Sequence, residues 1–107
     1  MYIIAYILSE LGYEVKVSET ISDFRQQLSS YLPELFLIDV MLPDGNGLDL
    51  SAELKQDPKT AALPIIIMSA HATVAHVLHK ACADDFISKP FDLDDLVLLV
   101  KKHLPIS

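Results

Sequence analysis

The sequence predicts an α/β fold built on a parallel sheet, and three observations carry that expectation. Residues 35–40 and 64–70 are almost unbroken apolar runs, the pattern of strands buried on both faces. Around them lie segments whose apolar residues recur at helical spacing. Strands that alternate with helices in this way close through right-handed crossovers onto a parallel sheet.

Each element has its own signal. Ile3, Ile4, Ile7, Leu8 and Leu11 predict a helix over residues 2–11, and Gly12 suits the left-handed residue that ends one. The β-branched content of that stretch also allows a strand. Residues 13–17 alternate and read as a short strand. Ser22 is placed to cap a helix to about Tyr31, with Phe24 and Leu28 inward and Pro33 closing it. In the apolar run 35–40 the polar exception is Asp39, near the carboxyl end. Residues 43–47, PDGNG, make a turn, and helical spacing resumes from Leu48 to about Gln56. After the strand at 64–70, Val74, Val77, Leu78 and Ala81 suggest a short helix. Residues 85–89 form a third strand-like run, ending at Pro90. Asp92 and Asp95 start a last helix that runs to about His103.

Composition excludes several functions. With 107 residues, 51% hydrophobic and 21% charged, the chain is expected to fold as one packed domain. A net charge of −7, with Lys and Arg numbering eight, leaves no basic face for direct DNA or RNA binding. The apolar runs are too short to span a membrane and the opening lacks a secretory pattern, so no membrane partner and a cytoplasmic location are expected. The single cysteine, Cys82, cannot form an intramolecular disulfide and fits a reducing compartment.

In an open parallel sheet, ligands bind beyond the carboxyl ends of the strands. Asp39, Ser69 and Lys89 all fall at those ends. A carboxylate can attack phosphorus to form an acyl phosphate, and the phosphoryl oxygens then want a cation and a hydroxyl donor. Asp39 offers the nucleophile, Lys89 the cation and Ser69 the hydroxyl. Gly45 and Gly47 let the loop after Asp39 bend tightly.

These residues also carry a resemblance. LIDVMLPDGNGL at 37–48 resembles the phosphoacceptor segment of bacterial two-component receiver domains, the CheY-like family. IIMSA at 66–70 is similar to their hydroxyl-bearing strand, and ADDFISKPF at 83–91 to their lysine strand. The resemblance implies a flavodoxin-like, doubly wound parallel sheet of strand order 2-1-3-4-5. It implies that Asp39 is phosphorylated by a histidine kinase or phosphotransfer protein, with Ser69 and Lys89 contacting the phosphoryl group. Phe86 becomes the switch aromatic, the backbone carbonyl of Met41 and the carboxylate of Asp39 become Mg²⁺ ligands, and Pro90 follows a cis bond. The result is a switch of contacts with a downstream protein partner rather than an enzyme.

The family's first strand and the acidic pair that holds Mg²⁺ are absent from this sequence. Residues 1–107 are therefore expected to be an N-terminally truncated receiver whose sheet is rearranged or completed by dimerisation, in a homodimer. Asp39 and the Met41 carbonyl alone make a poor Mg²⁺ cage, so a degenerate receiver acting only as an interaction module is the alternative. His71, His76 and His79 are read as solvated, Cys82 as a buried inert thiol, and Leu96 to Val100 as the deeply packed face of the last helix or a partner surface.

Overall fold

The computed structural model describes residues 2–70 and 81–105. Helix α1 (Tyr2–Glu10) forms where the helical reading placed it, and Gly12 ends it at φ +100°. A β-carbon at that angle is strained, and glycine avoids the strain. Helix α2 (Ile21–Leu28) starts two residues earlier than a Ser22 cap would set it. Thr20 is the cap, its side chain accepting the Asp23 N–H at 3.0 Å. The N–H groups of Ile21 and Ser22 go instead to the carboxylate of Asp44, at 2.7 and 3.0 Å. The helix closes at Ser29, short of Tyr31.

Strands β1 (Phe36–Asp39), β4 (Ile65–Ser69) and β5 (Asp85–Ser88) form a parallel sheet in the order β1-β4-β5. Between β1 and helix α3 (Gly47–Gln56) runs a small antiparallel hairpin, β2 (Met41–Leu42) and β3 (Gly45–Asn46), at the predicted turn. Asn46 caps α3 by accepting the Leu48 N–H at 2.7 Å. Helix α4 (Leu93–His103) is capped by Asp92, with Asp94 and Asp95 in its first turn and Lys101, Lys102 and His103 in its last. Both ends complement the helix dipole.

All five residues of β4 are buried, so the apolar run at 65–69 needs no polar face. Ile65 and Ile67 enter one core with Phe36, Ile38, Leu48, Leu50 and Leu54, and α2 packs on it through Phe24 and Leu28. Ile66 and Met68 enter a second core with Leu8, Ile87, Leu96 and Val100. The sheet thus has helices on both faces. The last helix buries Leu96 and Val100 against it, as the packed-helix reading expected, while Leu98 stays 65% exposed.

Two further expectations are corrected. Residues 13–17 form no strand. Their side chains still alternate between half-buried and exposed, but no neighbouring strand bonds to them, and without a ladder the pattern alone makes no strand. β1 consequently stands at the edge of the sheet among the described residues. Cys82 is exposed rather than buried, at φ +55°, because it lies in the turn leading into β5. The helix expected around Val74, Val77 and Leu78, together with His71, His76 and His79, lies outside the described residues. Among those described, no helix is long and apolar enough to cross a membrane.

Candidate functional site

Parallel pairing brings the three predicted site residues to one end of the sheet. Asp39 closes β1, Ser69 closes β4, and Lys89 directly follows β5. Asp39 lies across from Met68, and Ser69 across from Ser88. The Lys89 N–H donates to the Ser69 carbonyl at 2.8 Å, which fixes the start of the lysine against the end of β4. The Lys89–Pro90 bond is cis, as the resemblance implies.

From there the Lys89 ammonium crosses to Asp39 and forms an ion pair with Oδ2. The other carboxylate oxygen, Oδ1, accepts the Met41 N–H at 3.2 Å. The Asp39 side chain is 25% exposed and that of Lys89 37%, so the pair is open to an incoming group. Ser69 is buried at the strand end. Phe86 is half-buried, opposite Ile67, and packs on the core shared by α2 and α3. Met41 is largely exposed.

Several supports of the site were not read from the sequence. Gly47, first residue of α3, donates its N–H to the Val40 carbonyl at 2.8 Å and so pins α3 to the end of β1. Asp44, in the loop after Asp39, ties the hairpin to the start of α2. Those two backbone N–H bonds hold its carboxyl below the usual range. On α2 and α3, Arg25 and Glu53 form a two-pronged ion pair, and the hydrogen bond from Arg25 lowers the Glu53 carboxyl. Lys55 reaches from α3 to the carbonyls of Ala61 and Leu63, and to Asp84 at 2.6 Å. Asp84 in turn accepts the Ile65 N–H at 2.8 Å, setting the start of β4. A proline-and-glycine turn gives away its position, but not which N–H its aspartate will take.

The donor set does not fit Mg²⁺. This cation wants near-octahedral oxygen ligation. Both oxygens of Asp39 already hold an ammonium and an N–H, and no group of three or more His, Cys, Asp or Glu side chains is gathered for a metal among the described residues.

The response regulator receiver domain model matches residues 1–101. This chain belongs to that family. The receiver is 33% identical over 104 residues to the phosphate regulon transcriptional regulatory protein PhoB of Rhizobium meliloti, covering 95% of this chain and 46% of that protein. It thus spans about half the length of the curated relatives it matches. Two solved structures have the same fold. The signal receiver domain of a signal transduction histidine kinase from Syntrophus aciditrophicus matches with a TM-score of 0.84 and 28% identity, over 96% of this chain and 80% of that one. The receiver domain of NtrX from Brucella abortus matches with a TM-score of 0.83 and 29% identity, over 98% and 89%. The α/β fold read from the sequence is therefore the CheY-like receiver fold, and the chain is a response-regulator receiver of two-component signal transduction.

Proposed function

We propose that residues 1–107 act as a phosphoacceptor module, a receiver in which Asp39 takes a phosphoryl group from a histidine kinase or phosphotransfer protein. The observation that carries the reading is the Lys89–Asp39 ion pair at the carboxyl end of the sheet, one strand away from Ser69. An oxygen of Asp39 attacks phosphorus in line, the bond from phosphorus to the donor's imidazole nitrogen breaks, and that nitrogen leaves with the electron pair and picks up a proton. Transfer turns the singly charged carboxylate into a more negative acyl phosphate. Lys89 offsets that added charge, and the Ser69 hydroxyl donates to a phosphoryl oxygen.

A changed charge beside the end of β4 alters what Ser69 and, behind it, Phe86 prefer. The face of β5 and α4 then reads differently to a downstream protein partner. Incubation with acetyl phosphate, followed by intact mass, tests the transfer: a single phosphoryl adduct is expected on the wild type and none on Asp39→Asn.

A second reading is favoured by the donor set. With no cage for Mg²⁺ among the described residues, the receiver would serve as an interaction module that is never phosphorylated. A silent Mg²⁺ titration together with no adduct in folded protein supports it over the first.

A further inference from the structure

The hairpin of β2 and β3 carries the Met41 N–H that Oδ1 of Asp39 accepts, so the set of that carboxylate depends on where the hairpin lies. Each hairpin strand has two residues, paired Met41 with Asn46 and Leu42 with Gly45. A ladder that short does not hold its place in water without a partner. Its base is fixed, because Asn46 caps α3 and the Gly47 N–H goes to the Val40 carbonyl. Its tip, Pro43 and Asp44, is exposed.

Helix α2 holds the tip. Asp44 Oδ1 accepts the Ile21 N–H at 2.7 Å and Oδ2 the Ser22 N–H at 3.0 Å, across 23 and 22 residues of chain. Beside it the backbone of Gly45 rests against the end of the Ile21 side chain. An aspartate in a proline–glycine turn commonly serves its own loop. Here both carboxylate oxygens are committed to a separate helix. Thr20 already caps that helix through the Asp23 N–H, so the Asp44 bonds do more than cap it: they join two elements.

We propose that Asp44 is a positioning residue for phosphoryl acceptance: its grip on the first turn of α2 sets the hairpin so that the Met41 N–H keeps the Asp39 carboxylate from turning. This role rests on the phosphoacceptor reading of Asp39. Asp44 touches no reacting atom and acts through the hairpin. With Met41 on one oxygen and Lys89 on the other, the carboxylate offers its lone pairs in one fixed direction. Released from Met41, it rotates through settings from which phosphorus cannot be attacked in line. Lys89 and Ser69 follow or end other strands, so the groups that meet the donor stay where they are. Loss of Asp44 therefore slows the transfer step and leaves donor binding unchanged.

The test phosphorylates the whole chain at a series of acetyl phosphate concentrations, followed by intact mass. Asp44→Ala is expected to lower the limiting rate about tenfold, inside the roughly hundredfold that misplacing a reacting group can cost, with the half-saturating concentration unchanged. Asp44→Asn keeps one acceptor oxygen and should recover part of that rate. Thr20→Ala removes a bond from the same helix turn without touching the hairpin, so its rate should match the wild type. Hydrogen exchange at the Met41 amide, read without any donor, should quicken in Asp44→Ala and stay unchanged in Thr20→Ala. Equal limiting rates for Asp44→Ala and wild type, or an unchanged Met41 amide, overturn the proposal. So does a faster rate in both Asp44 variants, since Asp44 would then act through its charge on the incoming anion. Matching losses in Thr20→Ala and Asp44→Ala also overturn it, because a general loosening of α2 would explain both. No adduct on folded wild type removes the phosphoacceptor reading and this role with it, whereas equal rates remove this role alone.

Discussion

Gly47 stands so close to Asp39 that a β-carbon added to it would lie 2.0 Å from the Asp39 carbonyl oxygen. The same β-carbon would meet Cγ2 of Ile38 at 2.9 Å. Helix α3 can approach the end of β1, and donate its first N–H to Val40, only because this residue has no side chain. The obstacle is backbone, which cannot swing aside. Gly47→Ala is therefore expected to destabilise the fold by about 1–3 kcal/mol, as overpacking does, and to slow phosphoryl acceptance by displacing Asp39. Gly45→Ala is the control: its β-carbon meets the far end of the flexible Ile21 side chain, so the cost should be small. Urea midpoints of the two variants check the contrast, and equal midpoints contradict it.

Removing the cation of the site should separate function from stability. The Lys89–Asp39 pair is partly exposed, where an ion pair contributes about 0–1 kcal/mol. Lys89→Met is thus expected to melt within a few degrees of the wild type while losing most of its phosphoryl acceptance. A variant that unfolds at room temperature would mean that the pair serves chiefly to hold the strands together.

Acid should loosen two specific ties. Asp85, at the start of β5, is opposed by its partial burial but held below the usual carboxylate range by hydrogen bonds from His103 and Lys102 of α4. Asp44 is lowered by the N–H groups of Ile21 and Ser22. A group with a depressed folded-state pKa stabilises above its unfolded value, about 3.9 for aspartate, and that contribution is lost as pH falls through the folded value. Wild type should therefore lose stability below about pH 4. Asp85→Asn and Asp44→Asn should each start lower at neutral pH and lose less on acidification. Parallel pH profiles for wild type and both variants would show that neither tie exists in solution.

The two faces of α4 predict opposite responses. Leu96 is 1% exposed and sits in the core with Ile66 and Met68, so Leu96→Ala should cost about 2–5 kcal/mol. Leu98 is largely exposed, and Leu98→Ala should stay within about 0.5 kcal/mol. Denaturant titration measures both, and similar losses would mean that Leu98 is also covered in solution.

Much of this architecture was legible in the sequence because buried parallel strands announce themselves. The runs at 35–40 and 64–70 admit no polar face, and both became strands at nearly those bounds. Capping chemistry also marked the last helix, where Asp92 and the acidic first turn leave little choice. Residues 13–17 show where local reasoning stops. Their alternation reports which side chains turn inward, but strand formation depends on a neighbour that no local pattern encodes. The Ser22 cap failed for a similar reason. A hydroxyl at the right place competed with Thr20 and with Asp44, and Asp44 is distant in sequence. Asp39, Ser69 and Lys89 were found because the fold gathers strand ends, whereas the supports from Gly47 and Asp84 depend on contacts that only the packed structure defines.

The central claim, that Asp39 is the phosphoacceptor, is tested most directly by chemical trapping. The protein is incubated with acetyl phosphate and reduced with borohydride, which converts an aspartyl phosphate to homoserine, and its peptides are sequenced by mass spectrometry. Homoserine at position 39, absent when the donor is withheld, is the predicted result. An unmodified Asp39 in demonstrably folded protein, or homoserine at another aspartate such as Asp44, would contradict it.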